Sequence, residues 1–195
     1  MEAVKIKEIL NLHNLYNKTK GKKGKLADFS NLDLRNANFS NADCTSADFR
    51  YADCRNANFS NADCRNADFS NANFSNADFS NTDFSNANFS NANFSNADCT
   101  FADFRYADCR YADFSNADCR YADCTSADFS NANCRYADCR YANFSDANFS
   151  DADFSDADFS NANCSFADFS DADFSDADFS NAETTNVETN KQRSL

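Results

Sequence analysis

Proline and tryptophan are absent from this 195-residue chain, and its two glycines, Gly21 and Gly24, both lie within the first 26 residues. The rest of the chain must therefore turn without the one residue that reaches left-handed backbone at no steric cost. A single histidine, His13, leaves no second imidazole for a His-based metal site and no base near the abundant serines. No run of 18 apolar residues is present and no apolar h-region opens the chain, so neither membrane spanning nor export is expected, and a cytoplasmic location is.

What is present is a period of five. From Ala27 to Asn181 the chain reads as consecutive units such as Ala37-Asn38-Phe39-Ser40-Asn41 and Ala157-Asp158-Phe159-Ser160-Asn161, which makes 31 units over 155 residues without a break in register. We call the central residue i. It is Phe in 20 units, Cys in ten and Leu34 in one; Ala precedes it at i−2 in all units but those with Leu32 and Thr82, Asp or Asn stands at i−1, and Ser, Thr or Arg follows at i+1. A period of five advances an α-helix by about 500° and walks the apolar residues around its axis, so helix is excluded here. In an extended chain, residues two apart share a face, which turns i−2 and i inward together. The next apolar residue lies three positions on, which demands one bend per unit. Such a chain winds into a coil, although the period alone does not set the number of corners.

The pattern A-[DN]-[FCL]-[STR]-x, as in Ala77-Asp78-Phe79-Ser80-Asn81, resembles the pentapeptide repeat family. The resemblance implies an all-β solenoid, a right-handed quadrilateral β-helix of about eight coils with four units per coil. Residues 20 apart then stack on one face, at a coil spacing of about 4.8 Å and a rod length of roughly 37 Å. A core built this way includes Phe29, Phe49, Phe69, Phe89, Cys99, Cys119 and Cys139, and it divides the chain into 1–26, 27–181 and 182–195.

Corners without glycine need another residue that tolerates positive φ, and 21 of the 31 units carry Asn or Asp at i+2. The ten others carry Ser46, Tyr51, Phe101, Tyr106, Tyr111, Tyr121, Ser126, Tyr136, Tyr141 and Phe166, corners expected to be strained or of another turn type. All ten cysteines occupy position i, interchangeable with Phe, which makes them small buried hydrophobes and not a disulfide or metal framework. Stacking by 20 places Cys44 over Cys64 and Cys99 over Cys119 over Cys139.

Residues 2–17 place Ile6, Ile9, Leu10, His13 and Tyr16 on one helical face. This predicts a helix laid over the open end of the coil; with the Lys run that follows, the segment also suits a membrane surface or a partner. After Asn181 the units keep Ala182 and Val187 at i−2 but place Thr at i, as degenerate closing repeats followed by a frayed tail.

The net charge of −13 is uneven. Residues 1–26 hold seven Lys against Glu2 and Glu8, residues 27–140 hold 17 Asp and nine Arg, and residues 141–181 hold ten Asp and no base. With i−1, i+1 and i+2 turned to solvent, acidic residues keep a long β surface soluble. The resemblance adds a second reading, because some family members mimic the width and charge of B-form DNA and protect a type II topoisomerase (DNA gyrase). Against it stand the absence of an inserted loop and the nine repeat arginines. Candidate partner contacts are Asp146, Asp151, Asp156, Asp171 and Asp176 at acidic corners, with Tyr121 and Tyr141 from a belt of Arg-Tyr pairs. Asp153 and Asp173 share a face with Asp156 and Asp176, and salt-screened repulsion is the expected state of that group. The expectation is a non-enzymatic scaffold with no cofactor, no metal and no direct nucleic-acid contact, as a monomer or an end-to-end dimer with a protein partner.

Overall fold

The computed structural model describes residues 3–189. One helix, α1 (Ala3–Lys18), is followed by a turn and then by a continuous coil. Each i−1 residue forms a parallel β-bridge with the i−1 residue 20 positions on, from Asp28–Asp48 through Asn93–Asp113 to Asp168–Glu188. Four five-residue units therefore complete one coil, and the chain is a right-handed quadrilateral β-helix.

One unit shows why the coil closes. Ala87 N–H donates to Phe84 C=O (2.9 Å) and closes the preceding corner. Asn88 N–H donates back to Ala67 in the previous coil (3.0 Å), while Phe89 and Asn91 N–H donate forward to Asp108 (2.6 Å) and Arg110 (2.9 Å). The remaining amide, that of Ser90, donates to the Asn88 side-chain Oδ1 (3.0 Å). All five backbone donors of the unit are thus paired, as a buried or half-buried backbone requires.

Corner geometry is uniform. Every i+2 residue from Asn31 to Asn181 has φ between 57° and 62°, in a turn closed from i to i+3. Positive φ at the third residue alone is the type II requirement. The ten Ser, Tyr and Phe corners do not use another turn type: Tyr121 sits at 60° and Phe166 at 60°, like their Asn neighbours. Cross-coil bonds from the i+2 amide, such as Tyr121 N–H to Arg140 C=O (3.1 Å), hold these side chains in left-handed backbone despite its steric cost.

Inside, Phe rings form columns. Phe29 and Phe49 stack at 4.7 Å, Phe69 and Phe89 at 5.0 Å, and rings on adjacent sides meet edge to face, as do Phe79 and Phe84 at 5.0 Å. Both arrangements suit the ring quadrupole. Phe29, Phe49, Phe69 and Phe89 are fully buried, as is Cys99. At the N-terminal end α1 covers the first coil with Ile6, Ile9, Leu10 and His13. The chain then returns so closely past the helix that a Cβ on Gly24 would stand 2.2 Å from the Leu12 carbonyl oxygen, and its φ of 80° also calls for glycine. Among the described residues no helix is long and apolar enough to cross a membrane. The frayed tail expected after the closing units lies largely outside the described residues.

Candidate partner-binding surface

The outer surface is built from i−1, i+1 and i+2, but these positions differ in freedom. The i−1 side chain does not simply face water. In all 31 units its Oδ1 accepts the amide of i+1, for example Thr45 N–H to Asp43 (3.1 Å) and Ser95 N–H to Asn93 (2.8 Å). The sequence carried this signal: i−1 is Asp or Asn in every unit, the two residues whose short side chain closes such a turn. Where Glu183 replaces them, the side chain is one methylene longer and the register of these caps ends.

Eight of the nine repeat arginines grip the Asp two residues earlier. Arg120 donates from Nε to Asp118 Oδ1 (2.8 Å) and from Nη2 to Oδ2 (2.6 Å), and its Nε lies 3.6 Å from Asp138 in the next coil. These guanidinium contacts hold the carboxyls of Asp48, Asp53, Asp63 and Asp108 below the usual carboxylate range, with burial opposing; at Asp138 burial is the largest single effect and pushes upward, but the Arg140 hydrogen bonds and the Arg140 and Arg120 charges together outweigh it. The arginines are therefore consumed locally. Arg135 differs, because residue 133 is Asn: its Nε reaches Asp153 at 3.8 Å and its guanidinium lies 5.4 Å from the Tyr136 ring centre.

The candidate residues separate into two groups. Asp151 and Asp171 occupy one corner and Asp156 and Asp176 the next, on either side of the bridged pair Asp153–Asp173, so six carboxylates lie along one side of two successive coils. Asp146 projects from a neighbouring corner. Tyr121 and Tyr141 stand on the corner diagonally across from Asp151, where they continue a ladder that begins at Phe101. The Phe101 and Tyr121 rings stack at 4.8 Å and 4°, and Tyr121 and Tyr141 at 5.1 Å and 6°. The belt of Arg-Tyr pairs thus contains one ordered ladder, which stacking by 20 predicts once the aromatic corners are aligned. The stacked rings occlude one another's faces, so the ladder offers edges and hydroxyl groups but no slots for bases.

His13 is fully buried under the cap. Its Nδ1 accepts the Ala27 amide (3.1 Å), which places the proton on Nε2, facing Asn17 (3.2 Å) and Asp43 (3.7 Å). Burial lowers its pKa, with the Asp43 charge opposing. Among the described residues no group of three or more His, Cys, Asp or Glu side chains is arranged to hold a metal ion.

The family model for pentapeptide repeats matches this chain in 8 copies, over residues 27–63, 49–86, 82–118, 122–161 and 157–183. No curated protein matches the sequence closely enough to count as a relative. Among solved structures, a trypsin-treated form of QnrB1, a plasmid-mediated fluoroquinolone resistance protein, is 19% identical with a TM-score of 0.55, covering 86% of this chain and 92% of its own. HetL, a protein involved in heterocyst differentiation regulation from the cyanobacterium Nostoc sp. strain PCC 7120, is 22% identical with a TM-score of 0.49, covering 87% and 92%. At these identities the QnrB1 likeness shows the shared fold and nothing finer.

Proposed function

Because this chain belongs to the pentapeptide repeat family, we propose that it acts as a non-enzymatic, rigid binding rod that docks a basic protein surface with its C-terminal coils. The observation that carries this reading is the set of carboxylates along one side of two coils, Asp151, Asp153, Asp156, Asp171, Asp173 and Asp176, in a stretch whose sequence holds no Lys or Arg. Acidic residues held at fixed spacing on a stiff β surface raise the local potential and speed encounter with a basic partner. Over residues 27–140 nine Arg offset about half of the 17 Asp charges, so net charge there is more thinly spread.

The test uses Asp146, Asp151, Asp156, Asp171 and Asp176 changed together to Asn. Each keeps a corner residue that accepts positive φ, so the coil persists while five charges go. Partners recovered from a lysate with the parent protein should be lost with this variant, and their binding to the parent should weaken with salt. Recovery of the same partners by both proteins overturns the reading. A narrower version makes the rod an acidic stand-in for DNA on a type II topoisomerase. Concentration of net negative charge in the last two coils favours the general reading, which expects no inhibition of supercoiling by the parent protein. Potent inhibition abolished by the five changes would establish the narrower one.

A further inference from the structure

The two ends of the rod carry complementary surfaces. Helix α1 covers the first coil with Ile6, Ile9, Leu10 and His13, yet its opposite face is not the polar one that a solenoid cap ordinarily presents. Val4, Leu12 and Leu15 stand there, 68%, 49% and 40% exposed. Around them the N-terminal end is basic: residues 4–25 hold seven Lys, all exposed, against Glu8 alone. At the other end, the last described coil leaves its interior layer incompletely covered. Phe174, Phe179 and Val187 are only partly buried, whereas Phe154, Phe159 and Ala167, one coil earlier, are 0–1% exposed. The rim of that coil is acidic: residues 170–189 hold six carboxylates, among them the exposed Asp176, Asp178, Glu183 and Glu188, and no Lys or Arg.

We propose that copies of this chain associate head to tail, the outer face of α1 in one copy seated on the last coil of the next. The inference rests on the docking role given above to the C-terminal coils, and it names the basic surface they take as the chain's own N-terminal cap. Apolar area and charge match together. One contact buries Val4, Leu12 and Leu15 against Phe174, Phe179 and Val187 and sets the Lys cluster against the acidic rim. An anionic membrane, the other surface that suits a basic helix face with exposed apolar residues, leaves the C-terminal layer uncovered. Shape matches as well. Every coil repeats the same cross-coil bonds, so the first and last coils share one cross-section; α1, 16 residues or about 24 Å long, already lies across it at the N-terminal end. The two patches lie at opposite ends of one rod, so the contact is heterologous and adds copies in line instead of closing a pair. The net charge of −13 opposes approach over distance, and salt at about 0.1 M screens that repulsion beyond about 10 Å while weakening docked contacts less.

Sedimentation velocity on the full chain at about 0.1 M salt, over a range of concentrations, should show a mean mass that rises past twice the monomer's without a plateau. Two double variants separate the surfaces: Leu12→Gln with Leu15→Gln on the cap, and Glu183→Lys with Glu188→Lys on the last coil. All four side chains are exposed, and circular dichroism checks that each variant folds. Each variant alone should stay monomeric. Mixed, they should form a one-to-one pair, because the first keeps an intact last coil and the second an intact cap. A parent that stays monomeric or stops at a dimer, or variants that fail to pair when mixed, overturns the proposal; so does binding of the parent to phosphatidylserine vesicles without self-association. A monomeric parent whose lysate partners are still lost with the five corner changes overturns self-association alone and leaves the docking reading standing.

Discussion

Each repeat leaves one amide, that of i+1, with no backbone partner, and the Asp or Asn two residues earlier accepts it. Asn93 shows the arrangement fully: its Oδ1 takes the Ser95 amide at 2.8 Å and the Ser95 hydroxyl at 2.7 Å. Asn93→Ala should cost about 1–2 kcal/mol, the usual loss for an orphaned backbone donor, while Asn93→Asp should stay close to the parent. Denaturant midpoints decide between them, and equal midpoints for Ala and Asp would remove the cap as a determinant. The corners make a second contrast. Tyr111 and Tyr121 share the same left-handed backbone, at 59° and 60°, but only Tyr121 stands within the ring ladder. Tyr111→Asn should stabilise by about 1 kcal/mol through relief of that strain. Tyr121→Asn gains the same relief but loses ring stacking worth about 0.5–1.5 kcal/mol, so it should come out near zero. The spacing of Phe and Cys in the sequence made the inward positions legible, because burial follows from period alone. Hydrogen bonding at i−1 was less so: an acidic or amide residue outside a core reads as solvated until the missing backbone partner at i+1 is identified. Nor did composition announce the Arg–Asp grips, since they depend on side-chain reach across two residues.

Helix α1 closes the first coil, and its docking includes a group that titrates near neutrality. The inward face was legible from the spacing of Ile6, Ile9, Leu10 and His13; the tight return at Gly24 was not, because it depends on how closely the chain passes Leu12. His13 is buried with Nδ1 accepting the Ala27 amide, a bond that requires the neutral ring. Its folded pKa lies below the ordinary 6.5, burial being the larger cause and Asp43 opposing. The unfolded segment therefore binds the proton more readily than the docked one. Docking stability from this group is complete above pH 6.5 and is lost as the pH falls below it, down to the lowered folded value. Hydrogen exchange of α1 amides, corrected for intrinsic rates, should speed up between pH 7.5 and 5 while the central coils stay protected. His13→Phe should remove that dependence, and an unchanged α1 across this range in the parent would show that the histidine does not control docking.

The rod's width is set by its backbone. Every coil repeats the same cross-coil bonds whether its interior is filled by four Phe, as at Phe69, Phe74, Phe79 and Phe84, or mostly by Cys, as from Cys119 to Cys134. Walls held this way cannot fully collapse around smaller side chains, which accounts for the cavity at the Cys-rich coil. Volume should consequently be tolerated and charge should not. Cys119→Phe brings to position i the residue that fills it in most units, beside existing space, and should stay within about 1 kcal/mol of the parent after local repacking. Phe114→Asp removes a ring stacked on Phe94 at 4.6 Å and puts a carboxylate, with no base beside it inside, where the side chain is 2% exposed. Lost packing and the cost of an unpaired buried charge together should exceed about 3 kcal/mol. Because each coil is supported only by its neighbours, the damage should spread to adjacent coils before the ends. Comparable unfolding midpoints for the two variants would contradict inward packing at i, whereas a large loss in Phe114→Asp alone would show that the interior is selective for apolar character and permissive of size.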